Sequence, residues 1–208
     1  MVGFALLPWP ASIAANRHTG RVSHADPPDV IVLSRHAEKP DPHTGSIGVD
    51  RLGRADAHSL SVRGWQRAGA LAALLAHAPS PTHDALVKPQ RVIATKPTKH
   101  ARSRREVDTA APIADRLGLR LVEDHGHGEI AALVAEVLGD PAPALVVWHH
   151  GEIPAVALAL GADPDQLPHT WPDHRYDLLW VLTRSESHRG KYDVDVVPQR
   201  LLAGDAPS

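Results

Sequence analysis

An arginine and a histidine, Arg35 and His36, stand directly after a short apolar run, Val30–Leu33. Two prolines precede this run, and charged residues and Pro40 follow it, a pattern typical of a buried strand whose carboxyl end reaches the surface. In open α/β sheets, ligands bind in the crevice beyond the carboxyl ends of the strands. The pair therefore stands where a binding site is expected, although a polar loop that merely begins with these residues would have the same sequence.

A second apolar run, Ala144–Trp148, also ends in imidazole side chains, those of His149 and His150. A glycine and a predicted helix follow, with Pro154 near the first helical turn, where proline is well tolerated. Two strands of the predicted sheet therefore end in histidine.

Three arginines, Arg102, Arg104 and Arg105, surround the predicted start of another helix, whose free amide groups favour an anion. A guanidinium group is planar, stays charged at any working pH and fits a phosphoryl group. Charge-assisted hydrogen bonds contribute roughly 1.5 to 3 kcal/mol each. If the fold gathers two arginines and two imidazoles around one dianion, they would bind it far more strongly than an ordinary surface contact.

The elements that would position these side chains alternate along the chain. "RVIATK", "LRLVE" and "ALVVWHH" read as strands, and "SLSVRGWQRAGALAALLAHA", "SRREVDTAAPIADRLGL", "GEIAALVAEVLG" and "IPAVALALG" read as helices. Ser61 is the predicted N-cap of the first helix, and the second is predicted to run from about Ser103 to near Gly118. This alternation predicts parallel βαβ units in a three-layer α/β/α sandwich with a mostly parallel central sheet.

Two further strand candidates, "YDLLWVLTR" and "KYDVDVVPQRL", follow the last helix and are expected to pair antiparallel as a hairpin or at a sheet edge. The segment before them, "HTWPDHRYD", either shapes one rim of a substrate cleft or serves only as a connector.

Composition narrows the classes of function. The chain has 208 residues, of which 43% are hydrophobic, which suits one domain. Its net charge of -2 offers no basic field for nucleic acid and no polybasic patch for an anionic membrane, so neither is an expected partner. The absence of cysteine from the sequence excludes disulfides, thiolate catalysis and cysteine-ligated zinc.

The domain is predicted to span residues 29–208, after a flexible leader at residues 1–28. The first dozen residues are apolar and faintly resemble a secretory signal, but they lack a basic region, and Pro8 and Pro10 interrupt them. We therefore expect a cytoplasmic protein, with export to the periplasm or beyond as the alternative.

Four motifs together resemble one family. "VIVLSRHAEKP" resembles the Arg-His-Gly signature of the histidine phosphatase superfamily, in its phosphoglycerate-mutase-like branch 1, with Ala37 where many members have glycine. "SLSVRGWQRAGAL", "SRREVDTAAPIADRLGL" and "VVWHHGEIPAVALALG" are similar to its later motifs, in the same order, although Glu106 and Asp108 depart from the usual residues. The likeness covers about residues 29–183.

The resemblance implies a phosphoglycerate-mutase-like fold and a two-step phosphoryl transfer. His36 would attack phosphorus to form a phosphohistidine, which water then hydrolyses. Arg35 and Arg105 would hold the phosphoryl oxygens, and Arg105 fits the family spacing because it lies four residues before Thr109. A protonated second histidine would be a further donor.

The second histidine is ambiguous. His150 matches relatives that read Trp-Glu-His-x-x-Ile-Pro, whereas His149 matches relatives that read His-Ser-Asn-Thr-Ile-Pro. We expect His150 to act, with His149 as the alternative.

A carboxylic acid should protonate the leaving group. Glu123 lies where mutase-like relatives keep such a glutamate, Glu152 and Glu38 are rivals, and Glu123 could equally be a solvated loop residue.

Fifteen histidines raise the question of a metal site. His125, His127 and Asp124, or the pair at 149–150, could ligate zinc, but no His-Glu-x-x-His helix occurs in the sequence, and we expect neither metal nor cofactor. Glycine-rich nucleotide loops and a Gly-x-Ser-x-Gly elbow do not occur in the sequence either.

The sequence therefore predicts a metal-independent hydrolase of small-molecule or protein phosphomonoesters. A catalytically silent phosphate-binding or regulatory module and a phosphomutase are the alternatives. The leaving group and the oligomeric state cannot be read from the residues.

Overall fold

The computed structural model describes residues 26–205, so the expected leader lies outside the described residues except for its last three. Tyr192 donates a hydrogen bond to the carbonyl of Pro28, which joins the start of the described chain to the sheet. The strands are β1 (Val30–Ser34), β2 (Arg91–Ala94), β3 (Leu121–Val122), β4 (Ala144–Val147), β5 (Leu178–Arg184) and β6 (Tyr192–Pro198). The helices are α1 (Val62–Ala76), α2 (Arg105–Leu117), α3 (Ile130–Leu138) and α4 (Ile153–Leu160).

One six-stranded sheet forms the centre, in the order β3-β2-β4-β1-β5-β6. The first four strands are parallel, and β5 and β6 form the antiparallel hairpin that the sequence predicts at an edge. Apolar side chains on β1 alternate between the faces: Ile31 and Leu33 pack with α3 and α4, whereas Val32 packs with α1 and α2. The expected three-layer sandwich is confirmed.

The helices begin and end close to the predicted residues. The Ser61 hydroxyl accepts a hydrogen bond from the amide of Gly64, which confirms the predicted N-cap of α1. α2 begins at Arg105, two residues after the predicted start, because Ser103 lies before the first turn and its hydroxyl accepts a hydrogen bond from the amide of Arg105. At the other end Gly118 adopts the left-handed conformation that favours glycine, with φ of 66°, and terminates α2 as predicted. Within residues 26–205, none of the helices combines the length and apolar character that a bilayer crossing requires.

Strand register brings the two histidine-bearing strand ends together. β1 and β4 are parallel neighbours, with Ser34 opposite Val147, and the amide of Trp148 donates to the carbonyl of Ser34 over 2.8 Å. The residues after Ser34 and after Trp148 therefore leave the same edge of the sheet side by side.

A buried ion network fixes the chain just beyond this edge. The side chain of Arg67 on α1 is only 3% exposed, and its Nη2 lies 2.8 Å from Glu38 Oε1 and 2.7 Å from Asp205 Oδ1. Its Nη1 donates to Gln199 Oε1. Burial alone would lower the pKa of Arg67, but the hydrogen bonds to the two carboxylates raise it above its usual range. One guanidinium thus joins α1, the chain after β1 and the segment after β6.

Replacing Arg67 by methionine should lower the free energy of unfolding by about 3 to 5 kcal/mol, because two largely buried carboxylates lose their main partner. Arg63 is the matched control, since it contacts the same two carboxylates but its side chain is 46% exposed. Arg63→Met should cost less than about 1 kcal/mol. Urea denaturation of the two variants measures this difference, and equal losses would contradict it.

Candidate functional site

His36 lies at the exit of β1 with only 4% of its surface exposed. Its Nδ1 is 2.6 Å from the carbonyl oxygen of Ala37. Because a carbonyl can only accept, Nδ1 carries the proton, and the lone pair is left on Nε2. Burial lowers the pKa of His36 to about 3, and the charges of Arg35 and Arg105 act in the same direction. The imidazole is therefore neutral over the ordinary pH range and can act as a nucleophile.

Arg35 is a buried cation, with 2% of its surface exposed. Among residues 26–205 its guanidinium group hydrogen-bonds only to backbone carbonyls: Nη1 donates to Asp173 over 2.7 Å and, at longer range, to Pro172 and Arg175. Its Nε is buried and has no hydrogen-bond partner within that part of the chain. Burial lowers the pKa of Arg35, so a bound anion would relieve an energetic cost.

Arg105 is the first residue of α2 and is held by the loop before α1. Its Nη2 donates to the carbonyl of Ala57 over 2.7 Å, and its Nε donates to that of Ser59 over 3.2 Å. Its positive charge acts on the pKa of His36, which places it within electrostatic range of the imidazole. The side chains of Arg102 and Arg104 are exposed. Of the three arginines in this cluster, Arg105 is the one that is partly buried and whose charge acts on His36. Its role in holding a phosphoryl group stays a prediction.

The hydroxyl of Thr109 fixes Arg105 relative to the residue after His36. It accepts a hydrogen bond from the amide of Ala37 over 2.9 Å and donates to the carbonyl of Arg105 over 2.7 Å. The residue that follows His36 is therefore attached to the first turn of α2 through one buried oxygen.

Of the two adjacent histidines, His150 has its ring next to His36, with 6.3 Å between the ring centroids. Its Nε2 lies 3.2 Å from Asp173 Oδ1. The ring of His149 instead contacts that of His127, with 4.7 Å between centroids. Burial and the charge of Arg35 lower the pKa of His150, whereas Asp173 opposes this effect. An anion bound beside both histidines would also favour the protonated form of His150.

The three candidate carboxylates differ in their surroundings. Glu123 follows β3, an edge strand separated from β1 by β2 and β4, and its side chain is exposed. Glu152 accepts a hydrogen bond from Trp148 Nε1 over 2.9 Å and lies 3.4 Å from His127 Nδ1. Glu38 is held in the ion network with Arg67. The role of Glu123 as an acid stays a prediction.

Two groups near His36 were not assigned a role from sequence. Tyr176 places its ring 5.9 Å from that of His36, with 4.2 Å between its centroid and Arg35 Cζ. Glu106 is buried beside the charges of Arg35 and Arg105, and burial raises its pKa. The sequence marked Glu106 only as a departure from a motif. It placed Tyr176 where the connector meets the next strand candidate, but β5 begins two residues later, at Leu178, and nothing in the pattern indicated a contact with Arg35.

A cavity of about 840 Å³ opens next to Arg105 and Tyr176. Its other walls come mainly from the loop after β1, with Lys39, Arg63 and His174 among them. It offers room for the remainder of a ligand whose anionic group is held near His36. Within residues 26–205, no group of three or more His, Asp or Glu side chains is arranged to hold a metal ion.

No family model and no curated protein matches the chain. Among solved structures it is similar to mycobacterial hydrolase 1, with 20% identity and a TM-score of 0.50 over 82% of this chain and 98% of that one. This likeness shows a shared fold.

Two further similar structures are phosphatases. A mycobacterial glucosyl-3-phosphoglycerate phosphatase in complex with VO3 has 19% identity and a TM-score of 0.49, over 81% of this chain and 97% of that one. The putative phosphohistidine phosphatase SixA from Agrobacterium tumefaciens has 14% identity and a TM-score of 0.43, over 82% and 98%.

Replacing Thr109 by valine should lower the free energy of unfolding by about 1 to 3 kcal/mol, because the buried amide of Ala37 loses its acceptor. Thr109→Ser keeps the hydroxyl and removes one methyl group, so it should cost about 1 kcal/mol or less. Urea denaturation compares the two variants. If the two variants lost equal free energies of unfolding, a special stabilising role of the hydroxyl bridge would be contradicted.

Proposed function

We propose that this chain is a phosphatase of the histidine phosphatase type, which hydrolyses phosphomonoesters through a phosphohistidine intermediate on His36. One observation carries the proposal: a buried, neutral imidazole lies beside the buried guanidinium group of Arg35, whose Nε has no hydrogen-bond partner among residues 26–205. A neutral nucleophile next to an unsatisfied cation suits attack on an anionic phosphoryl group.

In the first step, Nε2 of His36 attacks phosphorus while the bond to the ester oxygen breaks. The new P–N bond leaves a positive charge on the ring, which the hydrogen bond from Nδ1 to the carbonyl of Ala37 stabilises. Arg35 and Arg105 donate to the phosphoryl oxygens, over which charge spreads in the transition state. Two hydrogen bonds from Arg105 to carbonyls leave its Nη1 for this task.

In the second step, water attacks the phosphorus atom of the phosphohistidine and the P–N bond breaks. Inorganic phosphate is released, and His36 returns to its neutral form. A carboxylic acid first gives its proton to the leaving oxygen and then, as a carboxylate, takes one from the water. Glu123 remains the predicted acid, with Glu152 and Glu38 as its rivals, and the charge of Glu152 acts on His149. With His36 as nucleophile, the cationic groups as donors and a carboxyl group as acid and base, the proposed route needs no metal or cofactor.

His150 would be a third donor to the phosphoryl oxygens. Its ring adjoins that of His36, whereas the ring of His149 contacts His127. The negative charge of the bound phosphoryl group would raise the pKa of His150 and stabilise the imidazolium form that donates.

Hydrolysis of p-nitrophenyl phosphate between pH 5 and 7 tests the proposed function. His36→Ala should lower kcat by about 10⁴-fold or more, because the covalent route is lost. His100→Ala, a change to an exposed loop histidine, is the matched control and should behave as the wild type. Equal rates in the wild type and His36→Ala would show that the chain does not catalyse this hydrolysis through His36. Vanadate binding without turnover in the wild type would instead identify a silent phosphate-binding module.

Separate alanine variants decide between the adjacent histidines. Removal of one transition-state donor typically lowers kcat by 10²- to 10³-fold, so His150→Ala should fall by about that much. His149→Ala should retain most of the activity, since its ring lies next to His127. A severe loss confined to His149→Ala in the same assay would overturn the assignment.

A further inference from the structure

Residues 172–176, here called the Arg35-binding loop, contact two of the groups that would hold the phosphoryl group. Three of its carbonyls, those of Pro172, Asp173 and Arg175, accept from Nη1 of Arg35. The carboxylate of Asp173 also lies 3.2 Å from Nε2 of His150. The loop thus joins a group from the end of β1 to a group from the end of β4.

Both ends of the Arg35-binding loop are anchored in the core. Before it, the buried Trp171 stacks on Trp180, with 5.2 Å between ring centroids, and its Nε1 donates to the carbonyl of Arg175 over 2.8 Å. After it, the buried Asp177 accepts from Nε of Arg175 over 2.7 Å, and its carbonyl accepts from the amide of Gln199. The loop is therefore a fixed support, and its geometry is imposed on whatever it contacts.

The last residue of the loop, Tyr176, supplies an aromatic face to Arg35. Cζ of Arg35 lies 4.2 Å from the centroid of the Tyr176 ring, a distance at which the negative face of the ring attracts a cation. Hydrogen bonds from Nη1 hold one corner of the guanidinium group, but by themselves they leave it free to tilt. Contact with the ring face removes this freedom and sets the plane of the group.

We propose that Tyr176 is a positioning residue, which holds the plane of Arg35 so that its unpartnered edge is presented to a phosphoryl group on His36. This inference rests on the proposed function, because it concerns the same site. The ring acts through Arg35 and does not itself take part in the chemistry. Such positioning favours the reaction, because Arg35 is already oriented as a donor before the substrate binds.

Three variants distinguish the contribution of the Tyr176 ring to activity from those of its hydroxyl and of general packing. Tyr176→Leu should lower kcat/KM and the affinity for orthovanadate by about 10-fold, because the cation contact is lost. Tyr176→Phe keeps the ring and should remain within about twofold of the wild type. In an Arg35→Lys background, Tyr176→Leu should change vanadate affinity by less than about twofold, because the planar partner of the ring is absent.

Substrates provide a further readout, since Tyr176 also lines the 840 Å³ cavity. If the ring acts through Arg35, Tyr176→Leu should lower kcat/KM by the same factor for p-nitrophenyl phosphate and for a small alkyl phosphate. A loss that depends on the leaving group would assign the ring to the cavity wall and overturn the proposal. Three other results would also overturn the proposal. They are a loss of vanadate affinity in Tyr176→Phe as large as that in Tyr176→Leu, an undiminished loss when Tyr176→Leu is made in the Arg35→Lys background, and wild-type activity and affinity of Tyr176→Leu.

The proposed function and this inference fail in different ways. If the wild type binds vanadate but hydrolyses no phosphomonoester, the proposed function is wrong, and the vanadate affinities still decide the role of Tyr176. If the wild type hydrolyses phosphomonoesters and Tyr176→Leu is unimpaired, only this inference is wrong. If the wild type neither binds vanadate nor hydrolyses, both are wrong.

Discussion

Arg35 brings a full positive charge to the end of a central strand, where almost none of its surface meets water. Removing such a charge from water costs several kcal/mol, and the backbone carbonyls around it offset only part of this cost. His36 next to it is buried as well, and this burial, together with the charge of Arg35, lowers the pKa of His36 and keeps its imidazole neutral. The uncompensated charge of Arg35 and the neutrality of His36 therefore share one cause, the exclusion of water, and the surrounding loops maintain it.

Three connections hold the site in register, and each spans a long distance in sequence. Parallel pairing of β1 with β4 puts His36 and His150 at one edge, and the hydroxyl of Thr109 attaches Arg105 to the residue after His36. The Arg35-binding loop then contacts residues that follow both strands, Arg35 and His150. Because all three rest on backbone groups or buried anchors, the site is largely formed before a ligand binds.

Much of this arrangement could be predicted from the sequence, because it follows from local periodicity. Short apolar runs that alternate with segments of helical spacing predict the sandwich. Residues at the carboxyl ends of adjacent parallel strands must then lie at the same edge of the sheet. The contacts of Tyr176 could not be predicted, because they depend on an irregular loop that crosses to a strand more than a hundred residues earlier. The exposure of Glu123 could not be predicted for a similar reason, because its position in the sequence does not show that β3 is an edge strand.

β1 has hydrogen-bonded neighbours on both sides, whereas the cavity beside it is walled mainly by the irregular chain that follows Lys39. A change in the cavity wall therefore need not disturb the pairing of β1. Substitutions or insertions in that wall can alter the shape of the cavity while the strand that leads into His36 remains paired. Divergence of substrate preference among proteins of this architecture should accordingly be concentrated in that wall, and the strand ends should change slowly.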